Sequence, residues 1–322
     1  MIDKMKFTKL KVAMIGAGEH ARRSHAPALH YLCQKRPNEI EMTAVCDPDT
    51  ARADQFMSQF GFKSAFNSIE SMLSESKPDC CLCIIPAKYL VNTVSVLLRN
   101  NIPTLLEKPL GDSIEESLVL EAIAKETGVK NMVSANRRFV PVLKYARDWC
   151  SQMGDIQFVR TLFARPNRDE PNFLWSTAVH SVDTTRFLAG DISAYDITPL
   201  FRRDNTRWVH LSGVSADNIK VNIDIMPTCG MNMERYELYG DGFHCHIQIE
   251  DFFKRVSCVC WTQNKISNER SMDEKDLYFV KDGGLDELTS FIDAIQKDLE
   301  PEPSIHDFLP SAKICHDFMM RD

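Results

Sequence analysis

The sequence contains no apolar run that approaches the roughly 20 residues needed to span a bilayer. It also contains no block of lysine or arginine, and its net charge of -7 argues against a surface that binds nucleic acid. Met1 to Leu10 lacks the apolar core of a signal peptide. We therefore expect a cytoplasmic protein that binds neither nucleic acid nor membrane.

The chain has no internal repeat and no low-complexity tract. Its 322 residues suggest two domains, and its 44% hydrophobic and 26% charged residues are typical of a globular protein. Several of the eleven cysteines lie in apolar runs such as Cys80 to Ile85. Such cysteines are usually buried and reduced, which agrees with the expected cytoplasmic location.

A glycine-rich turn follows the first β-type run, Lys11 to Ile15, and opens a helix that extends to about Gln34. Its pattern is G-x-G-x-x-A, in the position that a dinucleotide-binding fold requires. The first glycine permits a tight turn, the second lets the backbone approach a pyrophosphate, and the helix N-terminus offers N–H groups to the anion. The cofactor-binding residues predicted in this turn are Gly16, Ala17, Gly18, Glu19 and His20.

A second strand, Ile40 to Cys46, ends at Asp47. A carboxylate at the tip of this strand can bind both hydroxyls of the adenosine ribose, which favours NAD over NADP. The spacing from the glycines exceeds the usual ~20 residues, and the nearby Arg52 leaves NADP open. A helix N-cap is the other interpretation of Asp47, although Asp49 or Thr50 is better placed for that role.

Strands and helices alternate through residues 1–133, which predicts βαβ units and a doubly wound parallel sheet, that is, an NAD(P)-binding Rossmann domain. Right-handed crossovers place the carboxyl ends of all strands on one edge of such a sheet. We therefore expect the residues that follow these strands to converge on one crevice. They are Gly16, Asp47, Pro86, Lys108 and Asn136.

The apolar run Pro103 to Leu106 ends in Glu107-Lys108-Pro109. Charged side chains in this position lie at the carboxyl edge of the sheet, where open α/β folds bind their ligands. We predict that Glu107 contacts the cofactor and that Lys108 contacts both cofactor and substrate. A strand-to-helix turn with a solvated Glu-Lys pair is the alternative for this tripeptide taken alone.

Residues 134–322 differ in character, since several strand-like runs alternate polar and apolar residues as half-buried antiparallel strands do. Examples are Ile156 to Phe163, Ile219 to Ile225 and Phe243 to Ile249. Helices are predicted over about 178–188, 284–299 and 307–319. The pattern indicates a C-terminal α+β domain with a large open, mostly antiparallel sheet.

His180 and Asp183 are three residues apart on a predicted helix and therefore share a face. The carboxylate could orient the imidazole, which exchanges protons near neutral pH, while a core histidine bonded to its own helix is the alternative. His244 and His246 share a strand face without a third ligand in view, so we predict no metal site. Trp175 and Arg165 are candidate substrate contacts, with core or surface positions as the alternative.

These motifs, in this order, resemble the family of glucose–fructose oxidoreductase and inositol dehydrogenase, known as Gfo/Idh/MocA. The residues that carry the resemblance are Gly16 to Ala21, Asp47, Glu107-Lys108-Pro109, Asn136 to Phe139 and His180 to Asp183, followed by a tail at Phe291 to Ile295. The resemblance covers nearly the whole chain.

The resemblance implies an NAD(P)-dependent oxidoreductase that moves a hydride between nicotinamide and a secondary alcohol or ketone of a sugar, cyclitol or sugar derivative. Lys108 would lie between nicotinamide and substrate and stabilise the developing alkoxide, and His180 would be the acid/base. Asn136 would contact the cofactor. The C-terminal domain would bind the substrate and form a homodimer or homotetramer through its sheet.

One departure from the family pattern concerns the segment before His180. Many members carry Asp four residues before this histidine and Gly two before it, whereas Ser176 and Ala178 occupy these positions here. Ser176 leaves open a non-catalytic NAD(P)-binding sensor beside the dehydrogenase. The resemblance itself leaves open a glycosidase that uses a tightly held NAD, because the family includes such enzymes.

Overall fold

The computed structural model describes residues 9–203 and 206–320. The segment Met1 to Leu10, examined above for a signal peptide, therefore lies outside the described residues except for its last two positions. The chain forms two compact units. The first runs up to Ser134 and includes Gly284–Asp307, and the second comprises Ala135–Gly283 and the chain from Phe308 onward. The division thus differs from a single cut after residue 133, because residues 284–307 join the first unit.

The first unit is built on a six-stranded parallel sheet. Its strands are β1 (Leu10–Ile15), β2 (Ile40–Cys46), β3 (Ser64–Phe66), β4 (Cys80–Cys83), β5 (Thr104–Leu106) and β6 (Asn131–Val133). Their order is β3-β2-β1-β4-β5-β6. Strands β1 to β3 extend the sheet in one direction, and strands β4 to β6 extend it in the other. The carboxyl ends of β1 and β4 therefore form the switch point at which such sheets bind ligands.

Helices connect these parallel strands, and serine or aspartate side chains begin several of them. They are α1 (Ala26–Lys35), α2 (Thr50–Phe60), α3 (Ile69–Ser76), α4 (Ala87–Arg99) and α5 (Ile114–Thr127). The Asp49 carboxylate accepts the Arg52 N–H at 3.1 Å at the start of α2, and Ser113 begins α5 in the same way. Each bond satisfies a backbone donor that the first helical turn leaves unpaired.

The cysteines of β4 belong to the core of the first unit. Cys80, Cys81 and Cys83 are fully buried, and burial raises their thiol pKa values well above the ordinary range. They remain free thiols. The expectation that the cysteines of this apolar run are buried is therefore confirmed.

The second unit contains an eight-stranded sheet in the order β14-β13-β12-β11-β7-β10-β9-β8. Its strands are β7 (Ile156–Ala164), β8 (Ile192–Arg203), β9 (Thr206–Ser215), β10 (Lys220–Met226), β11 (Met233–Gly240), β12 (Phe243–Glu250), β13 (Arg255–Thr262) and β14 (Lys265–Ser271). Only the β7–β10 pair is parallel. The predicted fold class, a Rossmann sheet plus a large, mostly antiparallel sheet, is confirmed.

The helices of the second unit are α6 (Pro141–Met153), α7 (Phe173–Ser176), α8 (Val179–Ala189) and α9 (Tyr278–Lys281). Helix α6 packs on β12 and β13, and α8 packs on β7 and β10. Two more helices follow: α10 (Gly284–Gln296) belongs to the first unit, and α11 (Ile305–Met320) begins there and continues into the second. Within the described part of the chain, no helix combines the length and the apolarity needed to cross a membrane.

Strand β14 was not predicted from the sequence. All seven of its residues are exposed, so the strand carries no alternation of apolar and polar residues. It pairs with β13 at the edge of the sheet. Backbone pairing without a buried face leaves no hydrophobic pattern to recognise.

We expect Gly16→Ala to destabilise the first unit. Gly16 has a φ of +95°, and a Cβ at this position would come within 2.1 Å of the Ile84 carbonyl oxygen. The free energy of unfolding, measured by urea denaturation, should fall by roughly 2 kcal/mol or more. Gly18→Ala is the matched control, because a Cβ there meets no atom within 4 Å. Equal losses in the two variants would contradict this account.

Candidate functional site

A cavity of about 660 Å³ opens at the carboxyl ends of β1, β2 and β4 in the first unit. Gly16, Gly18, Asp47 and Pro86, all predicted from the sequence, line it together with Arg52. Because Gly16 lacks a side chain, the turn can pass close to the end of β4, whereas at Gly18 a Cβ would enter open space. The missing side chain at Gly18 therefore leaves room for a ligand rather than relieving a contact.

Asp47 is buried at the tip of β2, and each of its carboxylate oxygens accepts a backbone N–H. The donors are Ala17 of the glycine-rich turn at 2.9 Å and Asp49 at 3.0 Å. Asp49 is the N-cap of α2, so Asp47 does not serve as that cap. A carboxylate has about four lone-pair sites, and two backbone donors leave acceptor capacity for ligand hydroxyls.

Glu107 follows β5 and is held by two histidines. Its Oε1 lies 2.8 Å from His25 Nε2 and 2.9 Å from His20 Nε2. Burial by itself raises the pKa of this carboxyl, but the two imidazoles outweigh it and hold the pKa well below the usual range. The alternative of a solvated Glu-Lys pair is therefore wrong for Glu107.

The two histidines reach the same carboxylate because the chain between them forms a π-helical turn, Ala21–His25, immediately before α1. Positions five residues apart point in well-separated directions on an α-helix, whereas the i to i+5 hydrogen bonding of a π-helix brings them nearer to one side. His25 was not predicted as a site residue. The sequence shows it only as one more helical residue, since the π turn carries no pattern of its own.

Three other predicted residues of the first unit lie beside these groups in the chain. Glu19 and His20 are exposed at the beginning of the first helical segment, and Ala17 is buried with its N–H directed at Asp47. Lys108 directly follows Glu107, is half-buried, and joins Pro109 through a cis peptide bond.

In the second unit, the carboxylate of Asp183 binds the guanidinium of Arg138. Arg138 Nη2 and Nε donate at 2.7 and 2.8 Å, one to each oxygen, and Ser311 Oγ donates at 3.1 Å. Asp183 is buried, while His180 in the first turn of α8 is half-buried. The geometry therefore gives Asp183 the role of fixing Arg138 against α8, a contact that the H-x-x-D spacing did not indicate.

Arg165 and Trp175, the two candidate substrate contacts, are only 4% and 5% exposed. The guanidinium of Arg165 pairs with the buried Glu234, which also binds Arg137 at 2.8 Å. These contacts favour a structural role for Arg165 and a core position for Trp175.

Asn136 belongs to the second unit, where its amide Nδ2 donates to the Asp282 carbonyl at 2.9 Å. The neighbouring Gly283 has a φ of +86°, and a Cβ there would come within 2.3 Å of the Asn136 carbonyl oxygen. Asn136 therefore supports a tight turn at Asp282 and Gly283. Its predicted cofactor role remains a prediction.

Two groups of potential metal ligands occur among residues 9–203 and 206–320. The first is His20, His25 and Glu107, whose nitrogen–oxygen distances are those of hydrogen bonds. The second consists of Cys245, Cys258 and Cys260 in the second unit.

A family model described as the Gfo/Idh/MocA oxidoreductase family, with an NAD-binding Rossmann fold, matches residues 10–135. Inositol 2-dehydrogenase from Corynebacterium glutamicum is 26% identical over 188 residues, 56% of this chain and 54% of the relative. D-glucoside 3-dehydrogenase from Escherichia coli is 27% identical over 139 residues, 43% of this chain and 38% of the relative. The chain thus matches about half or less of the length of these curated relatives.

Solved structures show the same fold. A crystal structure of a dehydrogenase from Clostridium difficile matches with a TM-score of 0.82 over 97% of this chain and 99% of its own, at 19% sequence identity. The resemblance stated from the sequence is confirmed, and so is NAD as the cofactor of the matched family.

We expect Glu107→Gln to lower the free energy of unfolding by about 2 kcal/mol at neutral pH, because a hydrogen-bonded buried carboxylate is lost. Since the pKa of Glu107 is lower in the folded protein, its stabilisation is present above the unfolded pKa of about 4.5 and is lost as the pH falls below it. Urea denaturation across this range should show the difference between wild type and variant shrinking with acidity.

Glu126→Gln is the control for this comparison, because Glu126 is an exposed carboxylate 3.9 Å from Arg99. Exposed pairs contribute about 0–1 kcal/mol, so its effect should be small at every pH. A Glu107→Gln effect that stays constant with pH would contradict the pairing described here.

Proposed function

We propose that this chain, whose residues 10–135 match the model of the Gfo/Idh/MocA oxidoreductase family, is an NAD(P)-dependent sugar or polyol dehydrogenase or reductase. It would move a hydride between nicotinamide and a secondary alcohol or ketone of a sugar, cyclitol or sugar derivative. The observation that carries the proposal is the first-unit cavity, bordered by Gly18 and Asp47 at the switch point of a parallel sheet. The names of the inositol and glucoside dehydrogenases support the substrate class.

The residues of this cavity fit a dinucleotide. Gly16, Ala17 and Gly18 would let the backbone approach the pyrophosphate, with Glu19 and His20 at the start of the helical segment beside it. Asp47 would accept hydrogen bonds from the ribose hydroxyls through the lone pairs that its two backbone donors leave. NAD is therefore the proposed cofactor, and the proximity of Arg52, 3.8 Å from Asp47, keeps NADP as an alternative.

The proposed chemistry assigns proton transfer to His180 and charge stabilisation to Lys108. Bound nicotinamide supplies the hydride acceptor or donor. The His180 imidazole would take the hydroxyl proton, since the ordinary pKa of histidine is about 6.5. The Lys108 ammonium would donate a hydrogen bond to the same oxygen as negative charge develops on it. Glu107 would hold the segment that carries Lys108, because its carboxylate is fixed by His20 and His25.

The two units would divide this work. Residues 1–133 would bind the cofactor, and the C-terminal part would bind the substrate and form a homodimer or homotetramer through its sheet. The support is a ladder of half-buried rings on the sheet face opposite α6, in which Tyr239 stacks on His244 at 4.4 Å and His244 on Trp261 at 5.1 Å. Eleven free thiols agree with the proposed cytoplasmic location.

A non-catalytic nucleotide sensor is the second candidate, and the observation in its favour is Ser176 where many family members carry aspartate. Such a protein would bind NADH without turning over any sugar. Its binding of NADH would tolerate the loss of Lys108 and His180 but not the loss of the glycine-rich turn.

Titration with NADH and NADPH, followed by nicotinamide fluorescence in the presence of a panel of sugars and inositols, tests the proposed function. Tight binding that one sugar class perturbs would support it. Binding without perturbation or turnover would favour the sensor, and a lack of binding would overturn both.

In the same titration, we expect Asp47→Ser to weaken NADH binding by roughly 10–100-fold, because charge-assisted bonds to the ribose are lost. NADPH binding should change much less. Asp49→Ser is the matched control, since serine can still cap α2 and Asp49 is the neighbouring carboxylate. Equal weakening of both cofactors by Asp47→Ser would remove Asp47 from the ribose site.

We expect Lys108→Ala to reduce turnover by roughly 100-fold or more, the usual range for a lost acid–base or hydrogen-bonding group, while leaving NADH affinity mostly intact. Initial rates and fluorescence titration measure the two quantities separately. Lys63→Ala, which removes an exposed lysine paired with Glu41 in the same unit, is the control. Unchanged turnover in Lys108→Ala would show that the assigned role is wrong.

A further inference from the structure

Three cysteine thiols meet inside the second unit. Cys245 lies on β12, and Cys258 and Cys260 lie on β13. Their sulfur atoms are separated by 3.3 Å (Cys245 to Cys258), 3.4 Å (Cys245 to Cys260) and 3.7 Å (Cys258 to Cys260). All three side chains are fully buried. They form a nearly equilateral triangle of sulfur, which we call the cysteine triangle.

The register of the sheet creates this triangle. Cys245 is directly opposite Cys260 in the antiparallel β12–β13 pair, and Cys258 is two residues before Cys260 on the same face of its strand. Residues on the opposite face, such as His244 and Trp261, are half-buried. His244 and His246 lie on either side of Cys245 in β12 and therefore point to that opposite face, where both stack on Trp261.

Helix α6 covers the triangle and brings a fourth thiol to it. The helix packs on both β12 and β13, and Cys150, in its last turn, is fully buried. Its thiol interacts with that of Cys245. The three sulfurs of the triangle lie within 4.8 Å of one another, and Cys150 adjoins them through its contact with Cys245.

Ordinary packing accounts poorly for this arrangement. Buried cysteines usually act as small apolar side chains, and apolar carbon atoms pack best at about 3.5–4.0 Å. Sulfur is larger than carbon, yet two of the three distances are 3.3 and 3.4 Å. Thiols crowded this closely gain little from dispersion, whereas a shared cation would draw thiolates together.

The triangle has the dimensions of one face of a tetrahedral metal site. Zinc–sulfur bonds of about 2.3 Å separate the sulfurs of a regular tetrahedron by about 3.8 Å. An ion about 1 Å out of the plane of this triangle would lie about 2.3 Å from all three sulfurs. The fourth corner then belongs to a ligand on the helix side, where Cys150 lies.

We propose that Cys245, Cys258 and Cys260 bind a zinc ion in the core of the second unit, with Cys150 as the fourth ligand. Four thiolate ligands select a soft or borderline cation and leave no open position, which is the character of a structural site. The ion would tie α6 to β12 and β13. This site is separate from the nucleotide cavity, and it replaces the prediction from sequence that the chain holds no metal.

Zinc content tests the proposal on the full-length protein. We expect about one zinc per chain in protein purified from zinc-supplemented cells, and a loss of at least about fivefold in Cys258→Ala and Cys260→Ala. Cys315→Ala is the matched control, because Cys315 is an equally buried cysteine of the second unit outside the triangle. Zinc retained in the triangle variants would overturn the assignment.

Two further measurements do not depend on the folding of a variant. Titration of the wild type with an organomercurial should release zinc, detected with a chromophoric chelator, and cobalt exchanged into the site should show thiolate charge-transfer and tetrahedral d–d bands. The proposal would be overturned if the wild type contained no zinc, gave no cobalt spectrum and still showed all eleven thiols in denaturant. A disulfide within the triangle would overturn it as well.

Discussion

A carboxylate stays ionised in a protein interior only where donors or cations surround it, and this constraint shapes both units. In the first unit, Glu107 obtains its partners from His20 and His25, which fastens the end of β5 to the first helical segment. In the second unit, Glu234 binds Arg137 and Arg165, and the two guanidiniums together outweigh burial and lower the Glu234 pKa to about 2. Each buried acid thus joins segments that are distant in sequence.

The same rule explains why Asp183, which was predicted to be catalytic, and Arg165, which was predicted to contact the substrate, are better understood as structural. Arg165 cannot leave Glu234 without leaving its own buried charge unpaired, and Asp183 is similarly committed to Arg138. Removing one partner of such a pair is costly, because the other remains buried and unpaired. His180, which is half-buried beside this network, is supported by a helix whose position the Asp183–Arg138 pair helps to fix.

The fold could be predicted largely from the sequence because hydrophobic periodicity and glycine placement record local structure directly. Gly16 and Asp47 follow strands that are evident as apolar runs, and they line one cavity. His25 could not be found in this way, since its contact with Glu107 depends on a π turn and a partner 82 residues away. The cysteine triangle could not be predicted either, because its members meet through the register of two paired strands, which sequence spacing does not reveal.

The return of Gly284–Asp307 to the first unit has a consequence for how the protein is made. Helix α10 contributes Leu288, Phe291 and Ile292 to the core, all of them buried. A ribosome delivers the six strands of the parallel sheet long before it delivers this helix, so the unit begun first cannot be finished until nearly the entire chain has emerged. The second unit is contained almost wholly between those two events. During synthesis, the parallel sheet therefore keeps part of its apolar surface uncovered until the second unit has almost been completed.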